Sequence, residues 1–128
     1  MRICVVIGSR ADEGLLLWPI KLLQEDRFFE VDVLRMQRDP LLWMAAEQST
    51  GHWQEQRPDL VLLLGDRFEV FAAASVAWLM QIPIAHIAGG DVTEGSYDDA
   101  MRDCISRFAA IHFVTNEQAM ARLIAQGY

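Results

Sequence analysis

The chain has 128 residues, with 18 acidic side chains against 11 basic ones and a formal net charge of −7. That length bounds one domain, and 52% hydrophobic content supplies a core for it. The acidic balance excludes a nucleic-acid or anionic-membrane surface, which needs clustered positive charge, but leaves room for one nucleotide held by a helix N-terminus and an arginine or two.

Residues 3–7 are an unbroken apolar run ending at Gly8, the pattern of a strand buried on both faces, and too short for a leader peptide. Cys4 lies inside this run and Cys104 is distant in sequence, so both read as free thiols in a reducing cytosol. Residues 8–14 form a glycine-bearing turn before a helix from about 15 to 26. Such a turn can cradle a phosphate, or can be a plain strand-to-helix turn capped by Ser9 or Asp12; both readings stand. Arg10 is the one residue there that a cap does not need. Neither the dinucleotide fingerprint nor the Walker pattern is present. Residues 30–36 alternate polar and apolar, a second and less buried strand. Asp39 and Pro40 read as N-cap and first residue of a helix over 41–56, with Ser49, Thr50 and Gly51 as a break point. Trp43 and Trp53 read as packing residues.

The centre of the pattern is residues 57–69. Pro58 and Asp59 break what precedes them, and residues 60–64 are five consecutive apolar positions. Gly65 ends this third strand and Asp66 follows, at the carboxyl end, where open α/β sheets bind ligands. Asp66 and Glu69 make a D-x-x-E capping box; a ligand-facing carboxylate is the other reading, and the two are compatible. The helix predicted over 67–81 has Arg67, Glu69, Ser75 and Gln81 pointing in different directions, so it has no clean polar face. It is therefore expected to be covered on more than one side, by a missing part of the protein or by a second copy in a homodimer. A fourth strand over 83–87 leads to a long loop over 88–97. Asp98 and Asp99 are expected to cap a helix to about residue 110, and Arg102 shares its first turn. A fifth strand spans 111–114. Thr115 and Gln118 form a capping box for a last helix that buries Ala119, Met120, Leu123 and Ile124, with Gly127 as C-cap.

The elements alternate strictly, which gives one α/β domain over 1–128: a Rossmann-like three-layer sandwich around a parallel sheet of about five strands. Right-handed crossovers suggest the strand order 3-2-1-4-5. No C-x-x-C or H-x-x-x-H pair occurs, so no zinc site or other metal is expected. No apolar stretch is long enough to cross a membrane. Three loops, 8–14, 65–67 and 86–102, place acids and arginines at one edge of the sheet. Clustered carboxylates suit proton abstraction from a sugar carbon or protonation of a leaving group; three unrelated helix caps would also explain them.

Residues 58–69 (Pro-Asp-Leu-Val-Leu-Leu-Leu-Gly-Asp-Arg-Phe-Glu) and 82–102, containing Gly-Gly-Asp-Val-Thr-Glu-Gly, resemble the hydrolysing UDP-N-acetylglucosamine 2-epimerases. Residues 110–117 continue the resemblance, and residues 8–16 are similar to the family's first strand-to-helix turn. The resemblance implies the N-terminal half of a glycosyltransferase-B arrangement, with the active site between two Rossmann-like domains. It implies elimination of UDP from UDP-N-acetylglucosamine to a glycal, then hydration to N-acetylmannosamine for sialic or related acid synthesis, with no cofactor. By position it implies catalytic roles for Asp66, Asp91 and Asp98, and substrate contacts from Arg10, Arg67, His86, Asp99 and Arg102. Four departures accompany it. Ala88 stands where many members carry an acid, and Asp103 follows Arg102 where histidine is usual. The segment before Pro58 is short, and the second domain, with most of the UDP contacts, is not within these residues. A degenerate sugar-nucleotide binding module, or the non-hydrolysing epimerase, is the alternative.

Overall fold

The computed structural model of the chain describes residues 1–37, 42–94 and 96–128, and the side chains of all of these except Leu42 and Trp43. The expected Asp39–Pro40 cap and the packing of Trp43 lie outside the described residues. Five strands and five helices alternate in the order β1 (Arg2–Ile7), α1 (Arg10–Glu25), β2 (Glu30–Arg35), α2 (Leu42–Glu55), β3 (Leu60–Leu64), α3 (Phe68–Leu79), β4 (Ile84–Ile87), α4 (Asp98–Phe108), β5 (Ile111–Phe113) and α5 (Glu117–Ala125). All pairings are parallel, and the sheet order is β2-β1-β3-β4-β5.

This order corrects the expected 3-2-1-4-5. Both orders obey right-handed crossovers, but here the connection from β2 to β3 steps back across β1. That reversal moves α2 to the opposite face from α1. On one face, Ile3, Val5, Ile7, Leu62 and Ala85 pack with Leu16, Ile20 and Leu23 of α1. On the other, Cys4, Val6, Val61, Leu63 and Ile84 pack with Trp53 of α2, Val70, Ala73 and Ala77 of α3, and Ile105 of α4. The reversal also puts the topological switch point between β1 and β3, where doubly wound sheets open a crevice for ligands.

Helix α3 lies between α2 and α4 on the sheet. Ala72, Ala73, Ala74 and Ala77 are buried along it and let its neighbours approach closely. Its missing polar face is therefore explained within this chain, not by an absent segment or a second copy; only its end is open, with Trp78 55% and Leu79 73% exposed. Helix α2 runs through Ser49–Thr50–Gly51 without a break, since the Ser49 and Thr50 hydroxyls donate to the Ala45 and Ala46 carbonyls and remain inside the helix.

Several ends differ from expectation for local reasons. Helix α1 starts at Arg10, with Ser9 as N-cap accepting from the Asp12 amide, so most of the expected turn is helix. The N-cap of α3 is Arg67 and that of α4 is Tyr97, neither with a side-chain bond. Neither Asp66 nor the Asp98–Asp99 pair is therefore an N-cap. The last helix is capped by Asn116, whose side-chain oxygen accepts from the Ala119 amide, and not by Thr115. That shift leaves Ala119 and Leu123 buried, with Met120 and Ile124 exposed. At its other end, Gly127 takes a positive φ while the Tyr128 and Gly127 amides donate to the Leu123 and Ile124 carbonyls, the Schellman ending.

Candidate functional site

Glycine makes the edge of the sheet possible. Gly65 leaves β3 with φ of 77°, a left-handed turn that glycine takes without a steric penalty, and it delivers Asp66 toward α4. After β4, the chain runs Ala88-Gly89-Gly90. A Cβ on Gly89 would meet the Ser106 hydroxyl at 2.7 Å, and one on Gly90 would meet the Ala119 carbonyl at 2.4 Å. The glycines let the loop lie directly on α4 and α5. Ala88 also has a positive φ, 67°, an uncommon state for a residue with a Cβ.

Arg102 gathers the loops. It is 6% exposed, one turn into α4. One terminal nitrogen donates to the Asp91 carbonyl and to Asp99 Oδ1, each at 2.5 Å. The other pairs with Asp66 Oδ2 and donates to the Thr93 hydroxyl. Asp99 also accepts from the Thr93 amide. Charge-assisted bonds of this kind are the strong ones in a buried setting, and they lock β3, the loop and α4 into one cluster. The Nε of Arg102 is buried without a hydrogen-bond partner among the described residues. Asp66 and Asp99 are thereby answered inside the protein.

The other two acids are held less tightly. Asp91 Oδ1 accepts from the Thr115 hydroxyl at 2.6 Å. Asp98 is half-buried in the first turn of α4, where the helix dipole favours a carboxylate, and its carboxylate has no hydrogen-bond partner among the described residues. His86 is fully buried. Its Nε2 lies 2.7 Å from the Gly65 carbonyl and its Nδ1 3.0 Å from the Ser106 hydroxyl. Burial pushes its pKa down to about 4, with His112 and Arg102 adding repulsion against a charged ring. The residue expected to contact substrate is therefore a ring enclosed by the protein, with the Gly65 carbonyl as its neighbour toward Asp66.

A second region adjoins the first across the switch point. A cavity of about 610 Å³ is lined by Gly8, Ser9, Arg10, Glu13, Arg35 and Arg67, among others. Arg35 is paired with Glu13 at 2.8 Å. Arg10 is exposed and without an acidic partner among the described residues, and Arg67 is 44% exposed with the buried Glu69 3.5 Å from its Nε. Both oxygens of Glu69 lack hydrogen-bond donors among the described residues.

Sequence reasoning missed Thr93 and Thr115 as supports of the acids, and Ser106 as the partner of His86. The signal of the threonines is ambiguous, because a threonine near a helix start reads first as a cap, and Ser106, in the last turn of α4, carries none. It also missed Cys4, Asp32 and His52, whose ligand-type atoms lie within 4.8 Å of one another. They sit far apart in sequence, and only the β1–β2 register and α2 unite them. Here the Asp32 carboxylate meets the His52 ring and Trp53 Nε1 donates to Cys4 Sγ. Burial pushes the Cys4 thiol up to about 12.

Residues 40–128 match the UDP-N-acetylglucosamine 2-epimerase family. A Legionella pneumophila UDP-N,N'-diacetylbacillosamine 2-epimerase (hydrolyzing) is 32% identical over 98% of this chain and 43% of its own length. A Campylobacter jejuni GDP/UDP-N,N'-diacetylbacillosamine 2-epimerase (hydrolyzing) is 43% identical over 59% of this chain and 20% of its own length. Among solved structures, the Neisseria meningitidis UDP-GlcNAc 2-epimerase bound to UDP-GlcNAc superposes with a TM-score of 0.90 at 20% identity, covering 100% of this chain and 43% of that one. The S. aureus MnaA–UDP co-structure gives 0.89 at 22% identity, over 98% and 40%. This chain thus spans less than half the length of the relatives it matches. Among the described residues no helix is long and apolar enough to cross a membrane. By the match over residues 40–128, well over half of its length, the chain belongs to the UDP-N-acetylglucosamine 2-epimerase family.

Proposed function

We propose that this chain supplies the acid–base side of a hydrolysing 2-epimerase acting on an N-acetylated UDP-sugar, in a cytoplasmic enzyme. The observation that carries the reading is the Arg102 cluster. It holds the Asp66 carboxylate and the backbone carbonyl of Asp91 on one guanidinium, on the helix whose first turn carries Asp98, and Arg67, next to Asp66, lines a cavity with Arg10. Inverting a sugar carbon needs a proton removed from one face and one returned on the other, hence more than one carboxyl group. In the proposed sequence a carboxylate takes the C2 proton, the C1–O bond breaks and UDP leaves with its electron pair. Water then adds to C1 of the glycal, and a carboxylic acid returns a proton to C2, which gives N-acetylmannosamine. Arg10 and Arg67 oppose the charge gathering on the departing diphosphate. Asp91 takes over the role of the acid that Ala88 replaces. A homodimer is part of the same reading, with the exposed Trp78 and Leu79 at the end of α3 as its contact.

Product analysis tests the reading. A form extended to the length of the relatives should turn UDP-N-acetylglucosamine into free N-acetylmannosamine and UDP, with deuterium at C2 when run in D₂O. UDP-N-acetylmannosamine as product would instead make it the non-hydrolysing type. Asp66→Asn should lower turnover about a hundredfold or more, the usual weight of acid–base catalysis; near-normal turnover would remove Asp66 from the chemistry. Residues 1–128 alone should release no UDP and bind it at about millimolar strength, roughly −4 kcal/mol. Half a cleft neither excludes water nor surrounds the diphosphate.

A further inference from the structure

We infer that His86 is a positioning residue that aims Asp66, working as a neutral bridge between the end of β3 and α4. The inference rests on the reading of Asp66 as a carboxylate of the reacting site. Its geometry stands apart from that reading.

Four features meet at this ring. The Gly65 carbonyl is 2.7 Å from Nε2, and a carbonyl only accepts, so Nε2 carries the proton. In a neutral ring Nδ1 is then the acceptor, and the Ser106 hydroxyl donates to it at 3.0 Å. Ser106 is fully buried and lies four residues after Arg102, on the same side of α4. Finally, a Cβ on Gly89 would stand 3.0 Å from Nδ1, so the loop that bears Asp91 rests on the same ring.

The consequence falls on one peptide. Gly65 donates its N–H to the Ile87 carbonyl at 3.0 Å, and its own carbonyl accepts from His86. Both polar groups of the residue before Asp66 are therefore tied to β4. With the Gly65 peptide fixed and its φ positive, the carboxylate of Asp66 is delivered to Arg102, which α4 holds one turn from Ser106. Removing the bridge frees the Gly65 carbonyl to rotate, and Asp66 then swings on an unrestrained glycine. The ring's burial also accounts for its neutrality: a charged imidazolium here would meet repulsion from the nearby His112 and Arg102.

The experiment uses this chain without ligand, so it stays separate from the functional reading. Long-range ¹⁵N–¹H correlation at pH 7 should show the His86 ring neutral with the proton on Nε2. An Nδ1–H tautomer or an imidazolium would overturn the inference, and this measurement needs no variant. Phenylglyoxal labelling with peptide mapping then reads how firmly the Asp66–Arg102 pair holds, with the exposed Arg10 as internal standard. His86→Phe keeps the shape and removes both bonds; it should raise Arg102 labelling relative to Arg10 by at least about tenfold, the weight of one charge-assisted hydrogen bond. His86→Gln, whose amide can still donate to Gly65, should return labelling toward the parent level. Unchanged Arg102 labelling in His86→Phe, or a His86→Gln variant that behaves like it, would overturn the inference. If the bridge holds but the form extended to the length of the relatives does not turn over UDP-N-acetylglucosamine, the functional reading fails and the positioning role stands.

Discussion

The two sides of the switch point use arginine in opposite ways. On the acid side Arg102 is buried, and both of its terminal nitrogens are engaged by Asp66, Asp91, Thr93 and Asp99. On the other side Arg10 is exposed and unpaired among the described residues, and Arg67 is nearly half exposed. The first arginine sets the positions of carboxylates; the others present charge to whatever enters the cavity. Residue type alone does not separate these jobs. Burial and the number of bonds made do.

The largest expected effect follows directly. Arg102→Leu leaves partly buried Asp66 and Asp99 without their countercharge, a loss of about 3–5 kcal/mol by the usual weight of breaking a buried pair. Urea denaturation should show it. Arg10→Ala, in contrast, should change stability by less than about 0.5 kcal/mol, as for an ordinary surface site. Equal effects of the two substitutions would erase the distinction.

The next effect is a pH slope. The folded pKa of His86, about 4, is below its ordinary 6.5. The folded ring stays neutral, so between those values it is the unfolded chain that gains a proton. The contribution is whole above pH 6.5 and is lost as pH falls toward 4, about 3 kcal/mol in all at roughly 1.4 per unit. His86→Gln should flatten that part of the stability curve in denaturation runs between pH 7 and 4.5. An unchanged slope would mean that the ring is not the group responsible. A smaller effect, about 1 kcal/mol or less, is expected for Thr115→Val, which removes the one hydrogen bond made by the Asp91 carboxylate among the described residues.

How much of this was legible in the sequence depends on the kind of information involved. The ten elements were legible because apolar runs, glycines and helix periods are local. The strand order was misread although its signal was present. Residues 60–64 are apolar throughout, as a central strand requires, while residues 30–36 alternate, as an edge strand does. The order 3-2-1-4-5 would have put them the other way round. The polar-face argument for α3 found that the helix is covered but not what covers it, for a related reason: a helix flanked by two others needs no solvent face, and only the sheet order shows that it is flanked. At the site, the acids and arginines were legible by position, but their partners were not. Asp66 had two readings as a D-x-x-E residue, and the contact with Arg102 across 36 positions decides against the cap. His86 looked like a ligand contact because of its position in the resembling segment, yet strand alternation turns it inward, toward Ser106.

The division between the two sides has a direct test on this chain: amide chemical-shift mapping with UDP and, separately, with N-acetylglucosamine, each at several millimolar, near the expected dissociation constant of about 1 mM. UDP should move the amides of residues 8–13 and Arg67, and Arg10→Ala should abolish those shifts. N-acetylglucosamine should move residues 88–94 and 98–99, and leave residues 8–13 unmoved. If UDP instead moved the acid-side loop first, or if both ligands moved the same amides, the separation of diphosphate from sugar chemistry across the switch point would be contradicted.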